Sequence, residues 1–217
     1  MKNPLMQRWI DFAYRSGATT SLSNILAVYS DITTSYSARG RHYHTLSHIA
    51  DMLHNLDIYF PNRNPAVELA IWFHDYIYYP GSRYNELDSA LAMTNLFSGA
   101  VDYGSRIFPG ALVQSAREHI VATKKHDAQG NQDSAIVCDL DLASLAETQE
   151  RYRLNTTLIR MEYAGFSDTQ WSIDRLRFIG TFLARDIYQT GECKTQLEDS
   201  AKRNLSMERL DYIGVQN

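Results

Sequence analysis

Only two cysteines, Cys138 and Cys193, occur in this chain, in unlike contexts and with no CxxC spacing. That excludes a disulfide framework, and both are expected to be reduced thiols of a cytoplasmic protein. Proline and glycine are also scarce, at 5 and 11 of 217 residues, and no low-complexity tract is present, so disorder is expected only near the ends. There is no basic block. The 21 basic and 25 acidic side chains leave a net charge of −4, without the electrostatic footprint of a duplex nucleic-acid binder, though a nucleotide or short single strand stays compatible. No apolar run is long enough to span a bilayer. The opening "MKNPLMQRWIDFAYRSG" is broken by Gln7, Arg8, Asp11 and Arg15, unlike a signal peptide.

What the chain does have is apolar residues, 44% of the total, repeated at helical spacing. Asn3-Pro4 reads as an N-cap with proline in the first turn, and Gly17 as a stop. A second helix is expected from about Ser21 to before Gly40, and a third to contain "RHYHTLSHIADMLHNL" and end near Pro61. "NPAVELAIWFHDYIYYPG" is apolar nearly all round, the mark of a buried central helix. Helices are also expected in "NELDSALAMTNLF" and "FPGALVQSAREHIVAT". "KKHDAQGNQDSA" reads as a polar loop before one long helix headed by Asp139 and Asp141. Ser167 to Gln170 fits a capping box, and a last helix is expected from about Thr195 to Leu210. Nothing alternates with period two, and no repeat or linker stands out. The expectation is an all-α single domain of about eight helices.

Three features carry chemistry. "RHYHTLSHIADMLHNL" holds four of the seven histidines, and the spacing of His44 and His48 would place them on one helical face. Such a pair is also at home on a half-exposed helix. His74 and Asp75 sit within the apolar central segment. An ionised carboxylate buried there needs a strong partner, a metal ion or an arginine. Finally, Asp139 and Asp141 stand two residues apart, more carboxylate than one helix cap requires.

In order, "RHYHTLSHI", "AIWFHDYIYYPGSRYNELDSA", "IVAT" with a following His, "DLDLASL", "IRMEY" and "EDSAKRNL" resemble the HD-domain superfamily, and within it the predicted metal-dependent HD phosphohydrolases. The likeness runs from about Trp9 to Leu210. It implies one HD-type helical domain over residues 1–217, with a core at about 20–165 and the terminal helices packed on it. His74 and Asp75 would be the HD pair. The first ligand would be His44 or His48; His48 fits the pattern better, which leaves His44 facing the open side of the metal. Asp141 would close the set, with Asp139 as alternative ligand or cap.

Two imidazoles and two carboxylates suit Mn, Fe, Co, Ni or Zn, with Mg also compatible. The resemblance implies metal-activated water attacking a small phosphorylated substrate such as a nucleotide. Arg41 is the expected phosphate clamp, with Lys124 and Lys125 weaker candidates. Glu86 is expected as a general base or as an acceptor for a ligand imidazole. Two further histidines, His119 and His126, lie in the interval where some relatives bind a second metal, as in di-iron oxygenases. His119 also reads as a core histidine. A non-catalytic metal or nucleotide-binding module is the alternative from another class. The tyrosines around the motifs, Tyr43, Tyr76, Tyr78, Tyr79 and Tyr84, are expected in the core and rim.

Overall fold

A computed structural model describes residues 3–97 and 107–214, which are all-helical, with no strand among them. Ten α-helices follow in order: α1 (Pro4–Arg15), α2 (Leu22–Tyr36), α3 (Leu46–Tyr59), α4 (Pro65–Phe73), α5 (Asn85–Phe97), α6 (Gly110–Thr123), α7 (Gln132–Asp141), α8 (Gln149–Glu162), α9 (Asp168–Leu183) and α10 (Gly191–Gly214), with a 3-10 turn at Ala143–Ala146. None is long and apolar enough to cross a membrane.

Local caps set many of the boundaries. Asn3 accepts from the Leu5 and Met6 amides, Ser21 from Asn24, Asn64 from Ala66 and Ser167 from Gln170, satisfying amides that a helix start leaves unpaired. α4 is the hub. Every residue from Ala66 to Phe73 is buried, and the helix packs against α3, α5, α6 and α7. Its one carboxylate, Glu68, is neutralised by Arg8 Nε at 2.9 Å and by an Arg63 nitrogen at 3.0 Å. Trp9 brings α1 into the same core, stacking edge-on against Trp72 and donating its indole N–H to the Ile25 carbonyl at 2.9 Å. At the other end of the chain, α10 packs on α9 and the 3-10 turn, burying Ala201, Asn204, Leu205 and Glu208.

The helix count exceeds the expected eight, and the differences fall around the polar motifs. α3 begins only at Leu46, with Thr45 as its cap, so His44 precedes the helix and shares no helical face with His48. α4 stops at Phe73 instead of running to Pro80. His74 is its C-cap, and the backbone that follows is tied by side chains instead. Ser89 bonds both the N–H and the carbonyl of Ile77, and Asn85 does the same for Tyr79. The expected polar loop and long helix divide into α7, the 3-10 turn and α8. Asn131 caps α7 within the polar segment, and Thr148 starts α8 afresh. Asp139 and Asp141 therefore end a helix rather than head one. The last helix extends beyond the expected limits at both ends.

Candidate metal centre

The end of α4 presents His74. Its Nδ1 lies 3.0 Å from the Ile71 carbonyl, which can only accept, so Nδ1 carries a hydrogen and Nε2 faces the carboxylates of the site. Nε2 is 3.1 Å from Asp75 Oδ2, 3.5 Å from Asp141 Oδ1 and 3.3 Å from His48 Nε2. His48, in the first turn of α3, places its own Nε2 3.1 Å from Asp141 Oδ1. Carboxylate oxygens and imidazole nitrogens thus crowd together, an arrangement that a proton or a metal ion between them stabilises. His48, His74 and Asp141 offer ligand atoms all within 4.8 Å of one another, a group that could hold a metal ion. Asp75 lies beside it, and the mixed N/O donor set fits a divalent metal.

The electrostatics follow from this crowding. Burial alone pushes the His74 imidazole down, but Asp75 and Asp141 overcome it and hold the group well above its usual range. Burial likewise pushes the Asp75 carboxyl up, yet His74 and His44 keep it well below the usual carboxylate range. Asp141 behaves the same way against its imidazole neighbours. Its second oxygen is 2.9 Å from His126 Nε2.

Around this cluster opens a cavity of about 310 Å³, lined on one side by Asp75, Asp141, His126 and His44. His44 Nε2 is 3.9 Å from Asp75 Oδ2, while its Nδ1 rests 2.6 Å from Glu162 Oε2. Glu162 is fully enclosed. Its Oε1 accepts the backbone N–H groups of His42, Tyr43 and His44 at 2.8, 2.8 and 2.9 Å, and the Tyr78 hydroxyl donates to Oε2 at 2.9 Å. Those contacts, led by His44, overcome burial and bring the carboxyl down to about 2.

The sequence candidates divide accordingly. His48, His74, Asp75 and Asp141 come together, His44 faces the cavity they border, and Glu86 lines that cavity. Arg41 does not line it. Its guanidinium donates to the His44 carbonyl at 3.1 Å and the Tyr76 carbonyl at 3.0 Å, bracing the two ligand-bearing turns. Lys124 donates to the Arg83 carbonyl. Asp139 turns away from the cluster and caps the start of α10, accepting from the Gln189 and Thr190 amides and the Thr190 hydroxyl. Both cysteines are free and buried. His42 and His54 are exposed.

His119 is a core histidine, 2.9 Å from Ser134 Oγ and 3.2 Å from Ser115 Oγ. Burial lowers its pKa below the ordinary 6.5. The unfolded chain then binds the proton more readily. This contribution to stability is complete above pH 6.5 and is lost as pH falls below it, by at most about 1.4 kcal/mol per pH unit. Urea unfolding at pH 7.0 and 5.5 should show a smaller pH effect in His119→Gln than in wild type. An unchanged difference would refute this assignment.

The role of Glu162, its bond from Tyr78 and the contact of His126 with Asp141 were not anticipated from the sequence, although Tyr78 itself was expected near the rim. The available signal was the inward stripe of α8, where Tyr152, Asn155 and Glu162 are buried at positions an ordinary core helix gives to aliphatics. No family model matches the chain, and no curated protein or solved structure matches it.

Proposed function

We propose that this chain is a metal-dependent phosphohydrolase of the HD-domain type, acting on a small phosphate ester. The observation that carries the reading is the convergence of His48, His74 and Asp141, with Asp75 alongside, where the two carboxylates Asp75 and Asp141 line an open cavity. His48 Nε2, His74 Nε2 and the Asp141 and Asp75 carboxylates would hold the ion. A divalent ion bound there supplies acidified water and polarises the phosphorus–oxygen bond. The chain's own groups do the rest. His74 is oriented by the Ile71 carbonyl, and His126 holds the outer oxygen of Asp141. His44, fixed at Nδ1 by Glu162, presents Nε2 to the cavity, placed to give a proton to the departing ester oxygen. Glu86 lines the same cavity and has no partner among the described residues, leaving it free to accept a proton. Arg41 keeps the His44 and Tyr76 turns in register.

The test is phosphate release from a panel of mono-, di- and triphosphates and sugar phosphates, with added Mn²⁺, Co²⁺ or Mg²⁺. Release is expected for at least one ester, abolished by EDTA and by Asp75→Ala. A protein that binds the metal but releases nothing across the panel would be a binding module and would overturn the hydrolase reading.

A further inference from the structure

The hydroxyl groups that line the cavity differ in where their hydrogens go. Thr123 donates to the Ile120 carbonyl at 2.7 Å, Thr156 to the Tyr152 carbonyl at 3.1 Å, Tyr78 to Glu162 at 2.9 Å and Tyr152 to Glu208. Each of these has a protein acceptor. Tyr43 and Ser144 have only one another. Their oxygens lie 2.6 Å apart, both residues line the cavity, and neither hydroxyl has a further partner among the described residues. Each hydroxyl carries a hydrogen and only one of them can lie between the oxygens, so the other is left to donate outside the pair. A phenol is the stronger acid and the better donor, which makes Tyr43 the donor within the pair and leaves the Ser144 hydrogen free. A hydroxyl whose oxygen already accepts a hydrogen bond is polarised and donates more strongly.

The pair stands beside the cluster. The Tyr43 ring packs 4.9 Å from the His44 ring and 5.1 Å from the His48 ring, centroid to centroid. Ser144 sits in the 3-10 turn that follows α7, and it lines the cavity together with Asp141 and Asp75. Charge gives its hydrogen a use. Asp75, Asp141 and Glu86 place carboxylates on the wall, no lysine lines it among the described residues, and the one guanidinium there, that of Arg175, is held by Glu208 at 2.8 and 3.0 Å. An anionic oxygen that turns away from the cluster therefore depends on neutral donors with a hydrogen to spare.

We infer that Ser144 donates its hydroxyl hydrogen to a non-bridging oxygen of the phosphoryl group at the cluster, and that Tyr43 is the positioning residue that orients and polarises this donor. This rests on the hydrolase reading of the metal end. Ser144 makes the contact and Tyr43 acts through it, so the effects of the two residues are coupled.

The test is a calorimetric titration of the full-length, Mn²⁺-loaded protein with inorganic phosphate, in wild type, Ser144→Ala, Ser144→Thr, Tyr43→Phe and the Ser144→Ala/Tyr43→Phe double variant. Ser144→Ala should weaken phosphate binding by about tenfold with Mn²⁺ content unchanged. Ser144→Thr keeps the hydroxyl and should bind within about threefold of wild type. Tyr43→Phe should weaken binding by about threefold, and adding it to Ser144→Ala should move Kd by less than about twofold, because the donor it polarises is already gone. A merely structural role for either residue would make the two losses add. If Tyr43→Phe does not fold, the comparison of Ser144→Ala with Ser144→Thr decides alone. A Ser144→Ala Kd within about twofold of wild type, losses that add, or no phosphate binding by the metal-loaded wild type overturns the inference. Ser144-dependent phosphate binding without release from any ester would remove the hydrolase and leave the donor standing. Ester hydrolysis whose kcat/KM and phosphate Kd are both unmoved by Ser144→Ala would do the reverse.

Discussion

Asp141→Asn is expected to leave the purified protein with less than about a tenth of a divalent metal ion per chain, where the wild type carries about one. Asp141 reaches all three imidazoles of the cluster, with Oδ1 at 3.1 Å from His48 and 3.5 Å from His74, and Oδ2 at 2.9 Å from His126. The amide keeps the shape but removes the charge and turns one oxygen into a donor. Elemental analysis after Mn²⁺ loading and desalting reads the outcome directly. A second readout is independent of turnover. A ligand at a hundred times its Kd stabilises the folded state by about 2.7 kcal/mol, which in a chain of this size raises Tm by about 5–10 °C. Wild type should show that rise on Mn²⁺ addition and Asp141→Asn should not. Asp139→Asn is the matched control. It alters a carboxylate two residues away that binds backbone amides at the start of α10, so it should lower stability while metal loading persists. Metal retained in Asp141→Asn and lost in Asp139→Asn would show that the wrong aspartate has been placed at the centre.

The way these residues were legible in the sequence differs from one to the next. His74 and Asp75 stood out because polar groups in an apolar segment need a reason, and the helix that precedes them is buried as expected, although it ends at Phe73. His44 and His48 were paired by an argument that fails, since only His48 is on the helix. They still meet, with rings 5.9 Å apart, because the Thr45 cap folds the preceding turn back over the site. Periodicity alone could not foresee this, as it assumes that the helix continues. Nor could it divide α7 from α8. The apolar pattern runs through Leu140, Leu142 and Leu145, and only the cap at Thr148 marks the break. The motifs "IRMEY" and "EDSAKRNL" hold residues that no local rule explains. Glu162 in the first organises the His44 turn. Glu198 in the second accepts the Ile187 and Tyr188 amides, and Asn204 donates to the Leu145 and Glu147 carbonyls. Each satisfies backbone groups ten or more positions away in sequence, which is information that pairing across the fold supplies and a linear reading does not.

Glu162→Ala is expected to destabilise the protein by about 3–5 kcal/mol, lowering Tm by about 6–20 °C. The substitution removes the acceptor for three consecutive backbone N–H groups, for the Tyr78 hydroxyl and for His44 Nδ1. Each donor stranded in a buried position costs about 1–3 kcal/mol, reduced where water enters from the cavity. Glu162→Gln should cost less, because its oxygen can still serve the three amides while the NH₂ replaces the oxygen that met His44 and Tyr78. The sign of the pH dependence gives a further check. Native contacts bring the Glu162 carboxyl from an ordinary 4.5 down to about 2, so its stabilisation is present above pH 4.5 and is lost as pH falls from there towards about 2. At neutral pH that is on the order of 3 kcal/mol, in line with the mutational estimate. Denaturant unfolding from pH 6 to pH 3 should therefore show a steeper acid loss in wild type than in Glu162→Gln. If Glu162→Ala were within about 0.5 kcal/mol of wild type, the His44 turn would be held by Arg41 alone, and the orientation of His44 towards the cavity would lose its physical basis.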